Sequence, residues 1–456
     1  MGMKVLLSSA WIGLWAILIV VIQSDAQAAD TATGTETEVR VAELEEKVGI
    51  LAEEMGRLES IFAVPEDAEL ESIYGLGPAA SKVYLKDKGL SIGGYGEVRL
   101  RTFHDKNGAK KDDVFDALRA VLYVGYKFND KWVLNSEFEF EHAGTGGGGS
   151  VSTEFLTIDY LWREEVNFRA GLVLVPMGFV NEIHEPNFFF GAERPESERV
   201  IIPSTWRENG AGIFGRIADR IEYRAYVING LSACGGDSDC DDRKGFGSGG
   251  LRGGRQKGSR ALANDFAFVA RVDVDVMPGL LVGGSVYTGQ SGQDQSGEAS
   301  GLKLPKAQTT IYELHAQYRG NGMSLRAFWT EAFVAQTGRL SRALNLVDPA
   351  DPDTFSRSVA KQMRGWYVEG AYDIMPLIFA DTRMSLEPFV RYEEFDTQRD
   401  VNSRFVRDKS KDIELVVAGL QFKPIPQVVF KLDYRHFNPA SGSRADEVQV
   451  LVGYVF

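Results

Sequence analysis

Residues Asn167–Gly215, NFRAGLVLVPMGFVNEIHEPNFFFGAERPESERVIIPSTWRENGAGIFG, decide the fold. The stretch opens with strict alternation. Phe168, Ala170, Leu172 and Leu174 fall on one face, and Asn167, Arg169, Gly171 and Val173 on the other. That period of two marks a strand with one apolar and one polar side. From about Met177 to Asn209 the chain turns polar, with six glutamates, three arginines and one histidine, before a second alternating strand begins. A connection of this length inside a compact domain is functional or disordered. The pattern predicts a membrane-spanning strand followed by a loop that folds back and narrows a pore.

Working outward, the same period recurs from Gly89 to the last residue. Leu90, Ile92, Val98 and Leu100 alternate with Ser91, Tyr95, Glu97, Arg99 and Arg101. Ala120, Leu122, Val124, Tyr126 and Phe128 alternate with Arg119, Tyr123 and Lys127. Beyond the turn Asn129–Lys131, Trp132, Leu134, Phe138 and Phe140 alternate with Asn135, Glu137, Glu139 and Glu141. Leu156, Ile158, Tyr160 and Trp162 alternate with Thr157 and Asp159. Eleven further strands centre near Ile213, Tyr223, Val269, Val282, His315, Arg326, Tyr367, Phe389, Val417, Leu432 and Val452, which makes sixteen. Short turns alternate with long polar loops, as in outer-membrane barrels. Backbone groups in lipid must all be paired, so the sheet has to close. Tyr126, Phe128, Trp132, Tyr160, Trp162, Tyr434, Tyr454 and Phe456 suit the aromatic girdles of such a barrel. The expected fold is all-β: a 16-stranded antiparallel transmembrane β-barrel over residues 88–456.

The segments before the barrel read differently. Lys4, the apolar run Val5–Ile22 and Ala26-Gln27-Ala28 form a secretory signal peptide, residues 1–28. A retained helical anchor is the rival, but Ser8 and Ser9 leave an apolar core too short to span comfortably. Residues 29–38 are a polar spacer. Over residues 39–62, Val41, Leu44, Val48, Leu51, Met55 and Leu58 take the a and d positions of a short coiled-coil helix. Such a helix is marginal alone, so it self-associates, as a trimer, or packs on the barrel. Residues 63–87, rich in acids, Pro and Gly, read as a linker.

Composition removes other classes. The net charge of −14 argues against nucleic acid or anionic lipid as a partner, without forbidding a locally positive channel. Past residue 30 no apolar run approaches the roughly 20 residues of a membrane helix. Cys234 and Cys240 close a small loop as a disulfide in an exported protein. The neighbouring aspartates Asp237, Asp239, Asp241 and Asp242 lack a full calcium-loop pattern. His104, His142, His184, His315 and His436 are scattered, without metal-ligand or triad spacing, so no metal, cofactor or catalytic site is expected. The glycine run Gly144–Ser150 lacks the lysine of a phosphate-binding loop and reads as an outer loop.

The stretch Arg169–Gly215 resembles the phosphate-selective porin O and P family of Gram-negative outer membranes. Supporting stretches are Phe268-Val-Ala-Arg-Val-Asp-Val, Gly365-Trp-Tyr-Val-Glu-Gly-Ala-Tyr, Pro388-Phe-Val-Arg-Tyr-Glu-Glu-Phe-Asp and the terminal Val452-Gly-Tyr-Val-Phe456. The resemblance implies a homotrimer of sixteen-stranded barrels, each with its third long loop folded inward. The family's phosphate selectivity rests on lysines at the constriction. The loop 177–209 has none, so phosphate specificity does not carry over.

Strand parity places Arg99, Arg101, Arg119, Lys127, Glu137, Glu139, Arg169, Arg271, Arg326 and Arg391 among the lumen charges, and Glu182, Glu185, Arg194, Arg199, Arg207 and Glu208 at the pore constriction. Opposed charges set ion selectivity in pores, although each one alone is also what keeps a water-filled interior wet. The sequence predicts an outer-membrane porin of the bacterial cell, a passive diffusion channel for small hydrophilic solutes or ions, with an anion preference left open. It needs no cofactor, and its partners are membrane lipid and further copies of itself. The rival is a barrel anchor whose periplasmic coiled coil tethers the outer membrane to the cell wall or a partner protein.

Overall fold

The structure is a computed structural model that describes residues 39–52, 72–104, 111–235, 245–347, 350–379 and 382–456. The chain divides into two compact units, Met1–Ala68 and Glu69–Phe456. In the first, residues 39–52 are helical, and Val41, Leu44, Val48 and Leu51 are all exposed along it. The signal peptide, the spacer and the rest of the expected helix lie outside the described residues.

The second unit is a closed barrel of sixteen strands, each hydrogen-bonded to its sequence neighbours. They begin with β1 (Gly89–His104), β2 (Val114–Lys127), β3 (Trp132–Glu141), β4 (Ser150–Arg163) and β5 (Val166–Leu174). Next come β6 (Arg207–Ile217), β7 (Ile221–Asn229), β8 (Phe266–Met277), β9 (Leu280–Gln290), β10 (Gln308–Gly320) and β11 (Met323–Val334). The wall ends with β12 (Gln362–Tyr372), β13 (Ser385–Asp400), β14 (Asp412–Ile425), β15 (Val428–Pro439) and β16 (Asp446–Val455). Closure pairs β16 antiparallel to β1, with Tyr95 opposite Val455. Phe456 completes the seam, its amide donating to the Gly94 carbonyl at 2.8 Å. All sixteen expected strands are present.

Alternation explains the wall. Outward positions such as Val98, Phe140, Phe168, Val227, Val368 and Val450 are exposed, and so are Phe128, Trp132, Trp162, Tyr434 and Tyr454 near the strand ends. A continuous apolar belt of this extent has no place in water. With every strand edge paired, the belt faces lipid, and the protein is a bacterial outer-membrane barrel.

Two departures from simple parity matter. A bulge in β4 sets Glu137 opposite Phe155 and Phe138 opposite Thr153. The extra residue, Glu154, is thereby turned inward with Phe155, and both are buried. The interior is also not uniformly wet. Val269, Tyr287, Ile311, Phe328 and Tyr367 point inward from β8–β12 and pack with Val175, Met177, Ile201, Ile202 and Trp206 of the long β5–β6 loop. One half of the lumen is therefore an apolar seat for the loop.

Residues 72–85 are the larger surprise. The segment expected to be a linker runs as a short helix Pro78–Ser81 and a 3-10 turn Lys82–Leu85. Leu76, Ala79, Ala80 and Val83 are buried with Tyr95, Tyr123 and Phe155 of the lumen wall. Its chemistry explains the change: small residues let the chain lie against glycines of β1 and β2. A Cβ on Gly93 would stand 2.7 Å from the Ala79 carbonyl oxygen, and one on Gly125 would stand 2.7 Å from Val83 Cβ.

Candidate functional site

Two segments occupy the lumen, the loop 175–206 and the plug 72–85. The loop is pinned along its length. Asn181 Nδ2 donates to the Val175 and Trp206 carbonyls at 2.7 and 2.9 Å, tying the two ends of the loop together. Glu198 accepts from the Val180 amide at 2.9 Å and the Tyr367 hydroxyl at 2.7 Å. Further along, Lys431 Nζ donates to the Phe189 and Gly191 carbonyls at 2.6 and 2.9 Å. Arg391 donates to the Phe190 carbonyl at 3.1 Å and pairs with Glu369 and Glu393, each at 2.9 Å. Buried polar groups without partners are expensive, so each of these bonds fixes the loop rather than decorating it.

The predicted constriction residues fall into two groups. Glu182, Glu185, Arg194, Arg207 and Glu208 are buried, whereas Arg199 keeps 38% side-chain exposure. Glu182 lies 3.6 Å from Arg224 and 3.8 Å from Arg271 on the wall. Arg207 pairs with the bulge residue Glu154 at 2.6 Å. Glu208 accepts from Asn229 at 2.6 Å and the Gln256 amide at 2.8 Å. Among the described residues Arg194 Nη2 is buried with no hydrogen-bond partner, and burial followed by the nearby Arg119 pulls its pKa down. Burial pushes the Glu185 carboxyl up to about 8. Burial, reinforced by Arg194 and Arg119, pushes its neighbour His184 down to about 3. Neutral His184 places Nε2 3.2 Å from Glu137.

The lumen charges of the wall also pair. Arg119 Nε binds Glu97 at 2.6 Å and its Nη1 stands 3.5 Å from Glu139. Arg169 grips Asp159 with two bonds of 2.9 Å, and the plug's Tyr84 hydroxyl donates to the same carboxylate at 2.6 Å. Lys127 Nζ donates to the Tyr84 carbonyl at 3.2 Å, and Asn135 Nδ2 to that of Ala80 at 2.9 Å. Arg271 pairs with Asp273 at 2.8 Å and donates to the Gly178 carbonyl of the loop. Arg326 Nη2 reaches the Phe188 carbonyl at 3.2 Å. The wall charges therefore hold the two inner segments as well as one another.

Water reaches one set of charges beside the loop tip. Arg99 binds Glu193, and Arg101 stands 3.5 Å from the same carboxylate. Glu196, at the start of the short helix Glu196–Val200, is gripped by Arg435 at 2.7 Å and Arg199 at 2.5 Å, with Arg444 3.7 Å away. Against the penalty of burial, Arg199, Arg435 and Arg444 hold this carboxyl well below the usual range. Arg101, Glu193, Arg199 and Arg444 keep between 22% and 38% of their side chains exposed. At the short-turn end, a 410 Å³ cavity opens between Ser72–Pro78 of the plug, the loop and the β6–β11 wall; Arg216, Arg319 and Arg326 line it together with Glu222 and Asp275, and Arg216 stands 3.7 Å from Asp275. The Cys234–Cys240 bridge expected from the sequence reaches a residue outside the described set.

Sequence reasoning missed Glu154, Arg444 and the plug. The bulge leaves no trace in a period-two reading. The plug had one visible signal: inward positions of β1 and β2 include Gly93, Tyr95, Val121 and Gly125, too small or too apolar for a wall facing water.

No family model matches the chain. It is 36% identical over 368 residues to an uncharacterized protein of Aquifex aeolicus (strain VF5), a match spanning 79% of this chain and 78% of the relative. The chain belongs to that protein's family. Among solved structures, Salmonella typhi OmpF in complex with daunomycin superposes with a TM-score of 0.52 at 13% identity, covering 81% of this chain and 98% of that one. That likeness shows a shared barrel fold. An anion-selective porin from Comamonas acidovorans gives a TM-score of 0.48 at 11% identity, covering 81% of this chain and 100% of that one, and bears on nothing further.

Proposed function

We propose that this protein is an outer-membrane channel through which small hydrophilic solutes pass down their gradients, with a preference for anions. The observation that carries the reading is the charge that water reaches beside the loop: Arg101, Arg199 and Arg444 against Glu193. With their partners counted, Arg99, Arg101, Arg199, Arg435 and Arg444 stand against Glu193, Glu196 and Glu447, and this excess of cations, walled by low-dielectric protein, makes a locally positive passage inside a chain of net charge −14. Glu182 and Glu198 of the loop face wall or loop partners and are buried. The likeness of Arg169–Gly215 to the phosphate-selective porins O and P fits this reading and implies a homotrimer.

Reversal potentials of the purified protein in planar bilayers under a salt gradient test it. Anion preference is expected, with a shift toward cations in Arg101→Glu/Arg199→Glu. A sealed barrel, or cation preference in the unaltered protein, overturns it. His315, between Asp273 and Glu313 at 2.8 Å each, looks like an acid–base cluster. Its side chain is fully covered, with the Phe179 ring 4.6 Å away, so no substrate reaches it.

The tether reading draws on the exposed row Val41, Leu44, Val48 and Leu51. An exposed a/d seam needs a partner, and a second function for the first unit is compatible with conduction by the second. Removing residues 29–71 separates them: conduction survives, and any attachment to the cell wall is lost.

A further inference from the structure

A pocket at the outer ends of β10–β12 has no part in the lumen. It measures 830 Å³ and is floored by Gln308, Thr310 and Phe333, with walls from residues 334–342, Lys361 and 402–405. Strand parity fixes which way it faces. Thr309, Ile311 and Glu313 of β10 are buried inside the barrel, so Gln308, Thr310, Tyr312 and Leu314 point outward.

That outward row changes character along the strand. Leu314 is exposed and apolar, as a surface against hydrocarbon should be, and Tyr312, opposite Glu331 in register, marks the edge of that surface. One step outward, Gln308 donates to Thr288 at 2.9 Å, and Thr288 bonds Thr310 at 3.1 Å. On the next strand the outward-facing Glu331 pairs with Arg364 of β12 at 2.6 Å. Ion pairs do not sit in the lipid core. The pocket therefore lies just above the hydrocarbon, at the depth of the outer-leaflet head groups.

Its charge is one-sided. Arg339, Arg342, Lys361 and Arg404 line it, and among the described residues no carboxylate does. Lys361 is paired with Asp400 at 2.7 Å. Among the described residues no carboxylate pairs with Arg339, Arg342 or Arg404. Three guanidinium groups thus border one concavity with no carboxylate among the described residues to neutralise them, which favours an anion there. Guanidinium matches phosphate oxygens in a bidentate fork, at charge-assisted strength. Below them the Tyr312 and Phe333 rings, 5.6 Å apart, continue into the apolar belt. A site that is cationic above and greasy below suits an amphiphile better than a free ion.

We propose that this pocket binds the phosphorylated head group of an outer-leaflet lipid, with its acyl chains lying over Tyr312 and Leu314. The test uses the full chain in detergent micelles, titrated with a phosphorylated glucosamine-based glycolipid, and native mass spectrometry to count what stays bound. The phosphorylated lipid is expected to remain bound, the same lipid after phosphatase treatment to bind about tenfold or more weakly, and inorganic phosphate not to displace it. Arg339→Gln/Arg342→Gln/Arg404→Gln should lose the preference while Lys303→Gln/Lys409→Gln, away from the pocket, keeps it; circular dichroism melts establish that both are folded. Equal binding of the dephosphorylated lipid, full retention by the triple variant, or displacement by inorganic phosphate overturns the proposal. Because the readout is lipid retention, it stands or falls apart from conduction.

Discussion

Glu185 makes docking of the plug depend on pH. Its carboxyl abuts the plug at Gly77, where a Cβ would strike it, and burial raises it from the ordinary 4.5 to about 8. Glu137 and Arg119 act on it by charge, and Tyr123 feels its charge in turn. If the plug leaves, the carboxyl meets lumen water and returns toward its ordinary value. The docked state then holds a proton that the undocked state has released, so docking weakens as pH rises. Each pH unit is worth about 1.4 kcal/mol. Between pH 4.5 and about 8 the loss sums to about 5 kcal/mol, and above 8 it levels off. Plug release should therefore become about tenfold more frequent per pH unit across the lower part of that window. Single-channel recording from pH 5 to 9, counting transitions to a higher-conductance state, measures it. Glu185→Gln should flatten the dependence, since glutamine does not titrate. An identical slope in both proteins, or more openings at low pH, would show that Glu185 does not govern docking.

The other predictions concern conduction and stability. Deleting residues 29–87 should raise single-channel conductance above that of a 29–71 deletion, because only the longer one removes the plug. Gly77→Val should act in the same direction without shortening the chain. Arg169→Leu strands Asp159 in a buried site and should destabilise the barrel by about 3–5 kcal/mol, read from denaturant titrations in detergent. In Glu154→Gln the buried Arg207 loses its carboxylate, and a smaller loss of stability should accompany a shift of reversal potential toward anions.

The wall of this barrel could be read from residue types alone, because lipid outside and polar groups inside impose one rule on every strand. The rule fails where its premise fails. At Glu154 an extra residue reverses the parity of β4, and no alternation pattern registers an insertion of one. On β8–β12, Val269, Tyr287, Ile311 and Tyr367 are apolar at inward positions because protein, not water, lies against them. Strands greasy on both faces are the trace that a packed loop leaves. The loop itself was legible as a long polar insertion. Which of its charges stay wet was not: Glu196 is silenced by Arg435, 239 residues away, and such pairs have no signature in local sequence. The plug hid for the opposite reason, since Gly-Pro-Ala-Ala-Ser has neither period nor charge.

The position of the plug in the chain bears on how the molecule is built. Its bonds go to Lys127, Asn135, Asp159 and Arg169, all on β2–β5, and its packing partners are chiefly on β1–β4. Nearly everything that seats it has been synthesised and can be paired long before the last hairpin arrives. The curling sheet can thus wrap an object already lying on it, as a mould closes on a core, with no need to thread fourteen residues through a finished ring.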